Sequence, residues 1–127
     1  MKKYDVIIVG GGPMGTAAAY EFMVKAKDAK VLLIDKGHDI YHRRCPINEG
    51  KIKQCPKDRN GYSGCKPSCS ITSGFGGAGA FSDGKFNITQ EFGGWMNEYI
   101  SDEEVLDLIR YVDDMNIRHG APQEITD

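Results

Sequence analysis

Three glycines near the amino terminus have the spacing of a turn that can hold a phosphate group. Gly10-x-Gly12-x-x-Gly15 follows a short β-branched run and precedes a stretch that can form a helix. In such a turn the first glycine permits the sharp bend, the second lets a diphosphate approach the backbone, and the third lets helix and strand pack closely. Pro13 suits the first helical turn, which also contains Met14, and the free N–H groups and dipole of this helix end favour an anion.

An acidic residue stands where this turn needs a partner for a ribose. Asp35 lies 20 residues beyond Gly15, at the end of a second apolar run. A carboxylate there can accept both hydroxyls of an adenosine ribose, and it disfavours a 2′-phosphate because two anions would meet. The alternative is a glycine turn with a strand-capping aspartate and no ligand. The motif predicts a dinucleotide site formed by Gly10, Gly12, Pro13, Met14, Gly15, Asp35 and Lys36.

The elements that would position these residues follow from the apolar patterns. Residues 4–9 and 30–35 are short apolar runs without clean alternation, which is typical of parallel strands covered on both faces. Residues 14–27 between them contain no proline and predict a helix. Strand, helix and strand in this order predict a right-handed βαβ unit.

A second glycine-rich stretch lies further along the chain. It reads Ser73-Gly-Phe-Gly-Gly-Ala-Gly-Ala-Phe81, and Ser82-Asp-Gly-Lys85 follows it. The pair Asp83-Gly84 favours a type I′ turn, because both of its central residues need a positive φ. We therefore expect a hairpin here, with a strand over residues 85–89.

Both stretches resemble known flavoproteins. Gly-Gly-Gly-Pro-x-Gly, with an acid followed by Lys36-Gly37, is similar to the FAD-binding βαβ of flavoproteins with two dinucleotide-binding domains. Asp35 stands where glutamate is commoner, which keeps NAD open as an alternative. Residues 73–85, with Asn87-Ile88-Thr89 and Glu91-Phe92-Gly93-Gly94-Trp95 behind them, resemble a bacterial family described as FAD-dependent dehydrogenases or NAD(P)/FAD-dependent oxidoreductases of unassigned substrate.

This resemblance extends over the whole chain and carries functional expectations. It implies FAD as cofactor, NAD(P) as a possible second nucleotide, and an unassigned small-molecule substrate. It also implies that four residues face the flavin or its phosphates, namely Gly76, Gly77, Ala78 and Gly79. Small residues and free amides do let a backbone approach a flat ring or an anion, although a glycine-rich turn that only packs tightly under the sheet is the alternative.

Family members are several times longer, so the resemblance implies the amino-terminal part of an FAD/NAD(P)-binding domain. The expected fold class is α/β, a Rossmann-like FAD/NAD(P)-binding βαβ unit with an appended hairpin and helix. We expect this fold to be incomplete, because two strands and a hairpin cannot cover both sheet faces. The expected segments are a βαβ unit (1–35), a Cys-rich basic loop (36–70), a Gly-rich loop and hairpin (71–100) and a helix (101–115). A capping box, Ser101 to Glu104, begins that helix.

We expect this chain alone to be inactive, and to need the rest of its domain or a partner chain to cover its sheet. No residue has the setting of a catalytic acid or base. Two further alternatives are a non-catalytic nucleotide-binding module and a Cys-rich metal-binding module.

Four cysteines make the segment 36–70 a candidate metal site: Cys45, Cys55, Cys65 and Cys69. The segment has eight Lys or Arg residues, among them Arg43, against three Asp or Glu residues. Neighbouring cations lower thiol pKa values, so four thiolates there could bind zinc or an iron–sulfur cluster. No C-x2-C pair is present, and a redox or disulfide pair or ordinary loop thiols are the alternatives.

Composition and charge exclude several classes of protein. The chain of 127 residues is 40% hydrophobic and 27% charged, which is unlike collagen, coiled coils or disordered chains. The basic loop lacks interleaved aromatic residues, so we expect it to attract dinucleotide phosphates rather than nucleic acid. No apolar stretch reaches the roughly 18 residues of a membrane span, and Asp5 and Gly10-Gly11-Gly12-Pro13 disfavour a signal peptide. These features predict a cytoplasmic protein without a membrane partner.

Overall fold

A computed structural model of the chain describes residues 2–91 and 93–124. The described elements are strand β1 (Val6–Val9), helix α1 (Pro13–Lys25), strand β2 (Val31–Ile34) and helix α2 (Asp102–Arg118). Two 3₁₀ turns span Ala78–Phe81 and Met96–Glu98. The protein is therefore mixed α/β, as predicted. It divides into two compact units, Met1–Asp83 and Gly84–Asp127.

The first unit contains a two-stranded parallel sheet. Val6 of β1 lies opposite Val31 of β2, and Val9 lies opposite Ile34. Asp5 fixes the start of this pairing: its N–H donates to the Lys30 carbonyl at 2.9 Å, and its carboxylate accepts the Lys30 N–H at 2.8 Å. The strand–helix–strand order is the predicted one, and each strand is shorter than its apolar run.

Helix α1 begins at Pro13, as the proline at the first helical position favours. Its interior includes three consecutive alanines, which are strong helix formers. The helix ends at Lys25, two residues earlier than predicted. The Ala26 N–H still donates to the Phe22 carbonyl at 2.8 Å, but the Ala29 N–H then returns to the Ala26 carbonyl at 2.9 Å, and this turn redirects the chain into β2.

Helix α1 covers one face of the sheet. Val6 and Ile8 are half-buried, and an Ile8 methyl carbon lies 3.4 Å from the position that a Cβ on Gly15 would take. The alternate side chains of β1 are open to solvent, since Ile7 is 59% exposed and Val9 82% exposed. The expectation of strands covered on both faces is therefore met on one face only within the described residues.

The second unit is organised around α2. Its predicted capping box is confirmed: the Glu104 N–H donates to the Ser101 hydroxyl at 3.2 Å, and the Glu104 carboxylate accepts the Ser101 N–H at 3.0 Å. Val105, 7% exposed, is the most buried apolar side chain among the described residues. The helix continues three residues past its predicted end and stops before Gly120, whose φ of +105° does not fit a right-handed helix.

The predicted hairpin is wrong. Residues 85–89 form no strand, and the chain around them is irregular. A type I′ turn needs a positive φ at both central residues, whereas glycines alone have a positive φ in the described chain. Gly84 meets the requirement with a φ of +81°, but Asp83 does not, so the predicted type I′ turn is not formed.

The segment 36–70 is irregular, as predicted. Its one ladder-like contact within the described residues is an isolated antiparallel bridge between Lys57 and Ser63. Asp58 closes this loop, because its carboxylate accepts the N–H groups of Asn60 at 2.9 Å and Tyr62 at 3.0 Å.

The two helices are shorter than a bilayer requires. Helix α1 has 13 residues and α2 has 17, whereas about 20 apolar residues span a membrane. In the described part of the chain, neither helix combines the length and the apolar character of a membrane-spanning segment.

Candidate functional site

The turn between β1 and α1 depends on two glycines for its shape. Gly10 has a φ of +108°, and its N–H donates to the Ile34 carbonyl of the neighbouring strand at 2.7 Å. A Cβ on Gly15 would overlap the carbonyl oxygen of Gly10. The first and third glycines of the motif therefore let α1 start directly above the end of β1.

The amino-terminal end of α1 retains unused hydrogen-bond donors. Gly12 is the residue before the helix, and it offers no side chain to cap it. The first intrahelical bond runs from the Thr16 N–H to the Gly12 carbonyl at 2.9 Å. Within the described residues the N–H groups of Met14 and Gly15 have no acceptor, and the first turn contains no acid. These donors and the helix dipole can bind an anion.

Asp35 joins two turns at the carboxyl end of the sheet. One of its carboxylate oxygens accepts the Gly11 N–H at 2.7 Å, and the other accepts the Gly37 N–H at 2.7 Å. These two amides, with smaller contributions from the positive charges of Lys36 and Arg43, hold the pKa of Asp35 below its ordinary value despite partial desolvation. The carboxylate is therefore ionised at neutral pH. Each oxygen keeps a second lone pair that can accept a hydrogen bond from a hydroxyl group.

The second glycine stretch packs directly on the first. The Gly76 N–H donates to the Gly11 carbonyl at 2.8 Å. A Cβ on Gly77 would lie 3.0 Å from the Gly12 Cα and 3.1 Å from the Pro13 Cδ. The two backbones approach this closely because Gly77 has no side chain to meet Gly12 and Pro13. The sequence did not predict this backbone contact, in which Gly77 is the tight position, since a Cβ on Gly12 would lie at an ordinary 3.8 Å from the Gly77 Cα.

The remaining residues of the second stretch lie beside α1 as well. Ala78 and Gly79 are exposed in the 3₁₀ turn Ala78–Phe81, and a Cβ on Gly79 would lie 3.8 Å from the Pro13 Cγ. Lys36 is exposed and follows Asp35 immediately. All the residues predicted for the dinucleotide site therefore belong to one compact unit, around the carboxyl end of the sheet.

A buried arginine is the residue that sequence reasoning missed. Arg43 is 4% exposed and donates to three carbonyl oxygens, those of Ser70 at 2.9 Å, Ile71 at 2.7 Å and Phe75 at 2.7 Å. Its guanidinium carbon also lies 4.8 Å from the centre of the Phe81 ring. Arg43 is one of eight cations in its segment, and nothing in the sequence distinguishes it from exposed ones.

The four cysteines do not form the predicted metal site. All four are free, and no group of three or more potential ligands among the described residues is placed to hold a metal ion. Cys55 is exposed, whereas Cys45, Cys65 and Cys69 are half-buried. Cys65 and Cys69, with three residues between them, have a spacing that can serve a metal, but among the described residues they are not grouped with a third ligand.

Cys69 has an unusual environment. The N–H groups of Thr72 and Ile71 and the Thr72 hydroxyl stabilise its thiolate, and they lower its pKa below the ordinary value. Its carbonyl oxygen accepts the Ser73 N–H at 2.9 Å, so Cys69 begins the single helical turn whose carbonyls Arg43 binds.

Comparison with known proteins gives partial similarity. No protein-family profile matches the chain, and no solved structure does. An uncharacterized protein of Methanosarcina barkeri is 56% identical over 36 residues, 28% of this chain and 9% of that protein. The mitochondrial L-2-hydroxyglutarate dehydrogenase of Caenorhabditis elegans is 36% identical over 52 residues, 41% of this chain and 12% of that enzyme. The matches thus span about a tenth of those relatives' lengths, and one of these relatives is a dehydrogenase.

Proposed function

We propose that this chain is the FAD-binding segment of a flavin-dependent dehydrogenase. The observation that carries the proposal is the contact between the two glycine-rich stretches, in which Gly76 and Gly77 lie on Gly11, Gly12 and Pro13. This contact puts backbone without side chains around the amino-terminal end of α1. A diphosphate needs such access to unused N–H groups.

The donors and acceptors of the site fit the two polar parts of an adenosine diphosphate. The N–H groups of Met14 and Gly15 would bind the diphosphate, aided by the helix dipole. Asp35 would accept ribose hydroxyls with the lone pairs that Gly11 and Gly37 leave available. Lys36 adds a positive charge next to this carboxylate.

Bound FAD would supply the redox chemistry by taking up a hydride or an electron pair from a substrate. The residues of this chain would bind and orient the cofactor, and none of them is proposed as an acid or base. The name of the nematode relative supports the dehydrogenase class. The proposed cellular location is the cytoplasm.

NAD is the second candidate ligand. The same turn and carboxylate serve NAD enzymes, and the ionised Asp35 carboxylate disfavours a 2′-phosphate, so NADP is a poorer candidate for this turn. Because NAD and FAD share the adenosine diphosphate, the turn alone does not separate them.

The deciding experiment purifies the protein expressed from its complete natural reading frame. We expect flavin absorbance near about 450 nm, either as isolated or after incubation with FAD. FMN, which lacks the adenosine and one phosphate, should not replace FAD. Binding of NAD with no flavin uptake would shift the assignment to the second candidate. Uptake of neither would reject both.

An Asp35→Asn variant tests whether uptake occurs at this site. We expect it to bind FAD about tenfold more weakly, because a ribose acceptor and a positioned turn are both impaired. Asp28→Asn is the matched control, since Asp28 is exposed in the turn after α1. Equal loss of FAD affinity in both variants would show that Asp35 does not contact the bound cofactor.

A further inference from the structure

Arg43 is buried, and no carboxylate of the described residues forms an ion pair with it. Among the described residues its guanidinium binds backbone carbonyls and one aromatic ring, and no acid pairs with it. A buried charge is costly unless hydrogen bonds satisfy it, and here three carbonyl dipoles do so. The planar fork of an arginine can reach three separate acceptors at once, which a lysine ammonium cannot do in the same geometry.

A chain of hydrogen bonds connects Arg43 to the Gly11–Gly12 turn before α1. The Phe75 carbonyl, which accepts an Arg43 N–H at 2.7 Å, and the Gly76 N–H belong to one peptide group. That Gly76 N–H donates to the Gly11 carbonyl at 2.8 Å. The Gly11 N–H in turn donates to Asp35 at 2.7 Å. Fixing the plane of the Phe75–Gly76 peptide therefore fixes the donor that holds the turn before α1.

A second contact supports the same arrangement from the other side. The Phe75 N–H donates to the His38 carbonyl at 3.1 Å, so both backbone groups of Phe75 are engaged by the segment after β2. Beyond the glycines, the Phe81 ring lies over the guanidinium at 4.8 Å. Arg43 thus contacts the second stretch before and after Gly76 and Gly77.

We infer that Arg43 is a positioning residue for the dinucleotide site: it orients the Phe75–Gly76 peptide so that the second glycine stretch holds the Gly11–Gly12 turn in its binding shape. This inference rests on the proposed function for its ligand. Arg43 acts through the backbone and is not proposed to touch the cofactor.

The test compares Arg43→Lys with Arg59→Lys, because Arg59 is an exposed arginine of the same loop. FAD affinity is measured by quenching of flavin fluorescence, at a temperature where circular dichroism shows each variant folded. We expect Arg43→Lys to weaken FAD binding about tenfold, and Arg59→Lys to leave it within about twofold. A purely structural role would lower the unfolding temperature without changing the affinity of the folded protein, and that result would overturn the inference.

Amide hydrogen exchange gives a readout that needs no cofactor. In Arg43→Lys the N–H groups of Gly11 and Gly76 should exchange about tenfold faster, while the Val105 N–H in the other unit keeps its rate. Unchanged exchange at Gly11 and Gly76 would reject the positioning role. If the unmodified protein binds no FAD, the proposed function fails, and the exchange rates alone decide whether Arg43 holds the turn.

A second variant covers the case in which Arg43→Lys does not fold. Phe81 is 45% exposed, so Phe81→Leu should fold while it removes the ring from the guanidinium. We expect FAD affinity to fall about threefold, in line with a partly exposed cation–π contact. Unchanged affinity in this variant would then contradict the inference.

Discussion

The carboxylate of Asp35 accepts the N–H of Gly11 at 2.7 Å, and this bond ties the end of β2 to the turn that follows β1. Its other oxygen accepts the Gly37 N–H at 2.7 Å. Asp35 is therefore a structural link before any ligand binds. The same carboxylate serves the fold and the proposed ribose contact.

Loss of this link should be measurable without a ligand. Asp35→Asn keeps one oxygen acceptor and loses the other together with the charge, so we expect the free energy of unfolding to fall by about 1–2 kcal/mol. Urea unfolding followed by circular dichroism measures the change. Asp28→Asn should stay within about 0.5 kcal/mol, and an equal loss in the two variants would contradict the structural role.

The pH dependence of stability follows from the lowered pKa of Asp35. A carboxyl whose pKa is lower in the folded state contributes stability above its unfolded pKa and loses that contribution as pH falls through the folded value. We expect the stability difference between the unmodified protein and Asp35→Asn to be full above about pH 5 and to shrink below about pH 4. Asp39, Glu49 and Glu104 also have lowered pKa values, so the difference, rather than either curve, reports on Asp35. A difference that grows on acidification would contradict the assignment.

Two glycines of one motif should respond differently to alanine. Gly15→Ala would drive a methyl group into the Gly10 carbonyl oxygen, and we expect a loss of about 2 kcal/mol or more. Gly12→Ala would place its methyl 3.8 Å from the Gly77 Cα at an ordinary φ of −73°, and the loss should stay below about 1 kcal/mol. Thermal unfolding of both variants tests this ranking, and the reverse order would show that the turn is built differently.

Cys69 should react as a thiolate at lower pH than an ordinary thiol. The N–H groups of Thr72 and Ile71 lower its pKa, so its alkylation by iodoacetamide should persist as pH falls, relative to N-acetylcysteine. Mass spectrometry of the alkylated peptide gives the rate at each pH. Thr72→Val removes one of the stabilising hydrogen bonds and should shift the profile to higher pH. A profile unaffected by that substitution would contradict the proposed cause.

The capping box offers a test within the second unit. Glu104→Ala removes the acceptor of the Ser101 N–H, whereas Glu103→Ala removes a neighbouring charge of the same helical turn. We expect the first variant to destabilise α2 by about 1 kcal/mol and the second by less than about 0.5 kcal/mol. Amide exchange within α2 reports both, and similar effects would mean that charge alone matters.

Local patterns predicted the elements that are fixed by local chemistry. Pro13 and the glycine spacing located the start of α1, and the Ser101–Glu104 box located the start of α2. The hairpin prediction was wrong: Asp83, a central residue of the expected turn, has no positive φ. A dipeptide preference does not determine whether two strands pair.

The local sequence patterns could not predict the long-range contacts. The Gly76–Gly11 bond joins residues far apart in the chain, and the first and second glycine stretches could be linked only through the family resemblance. The burial of Arg43 was not predictable, because an arginine that binds carbonyls has no acidic partner to mark it. The cysteine spacing suggested a metal site, but spacing does not decide whether an irregular loop brings the thiols together, and the described residues contain no group of three ligands.

The open face of β1 should make the protein prone to aggregate during refolding. With β1 and β2 alone in their sheet, each strand also has an unpaired edge within the described residues, next to the exposed side chains of Ile7 and Val9. Bare strand edges beside apolar surface recruit other chains. Recovery of this polypeptide on refolding should therefore decline as its concentration rises, with intermolecular β-structure forming in the aggregates.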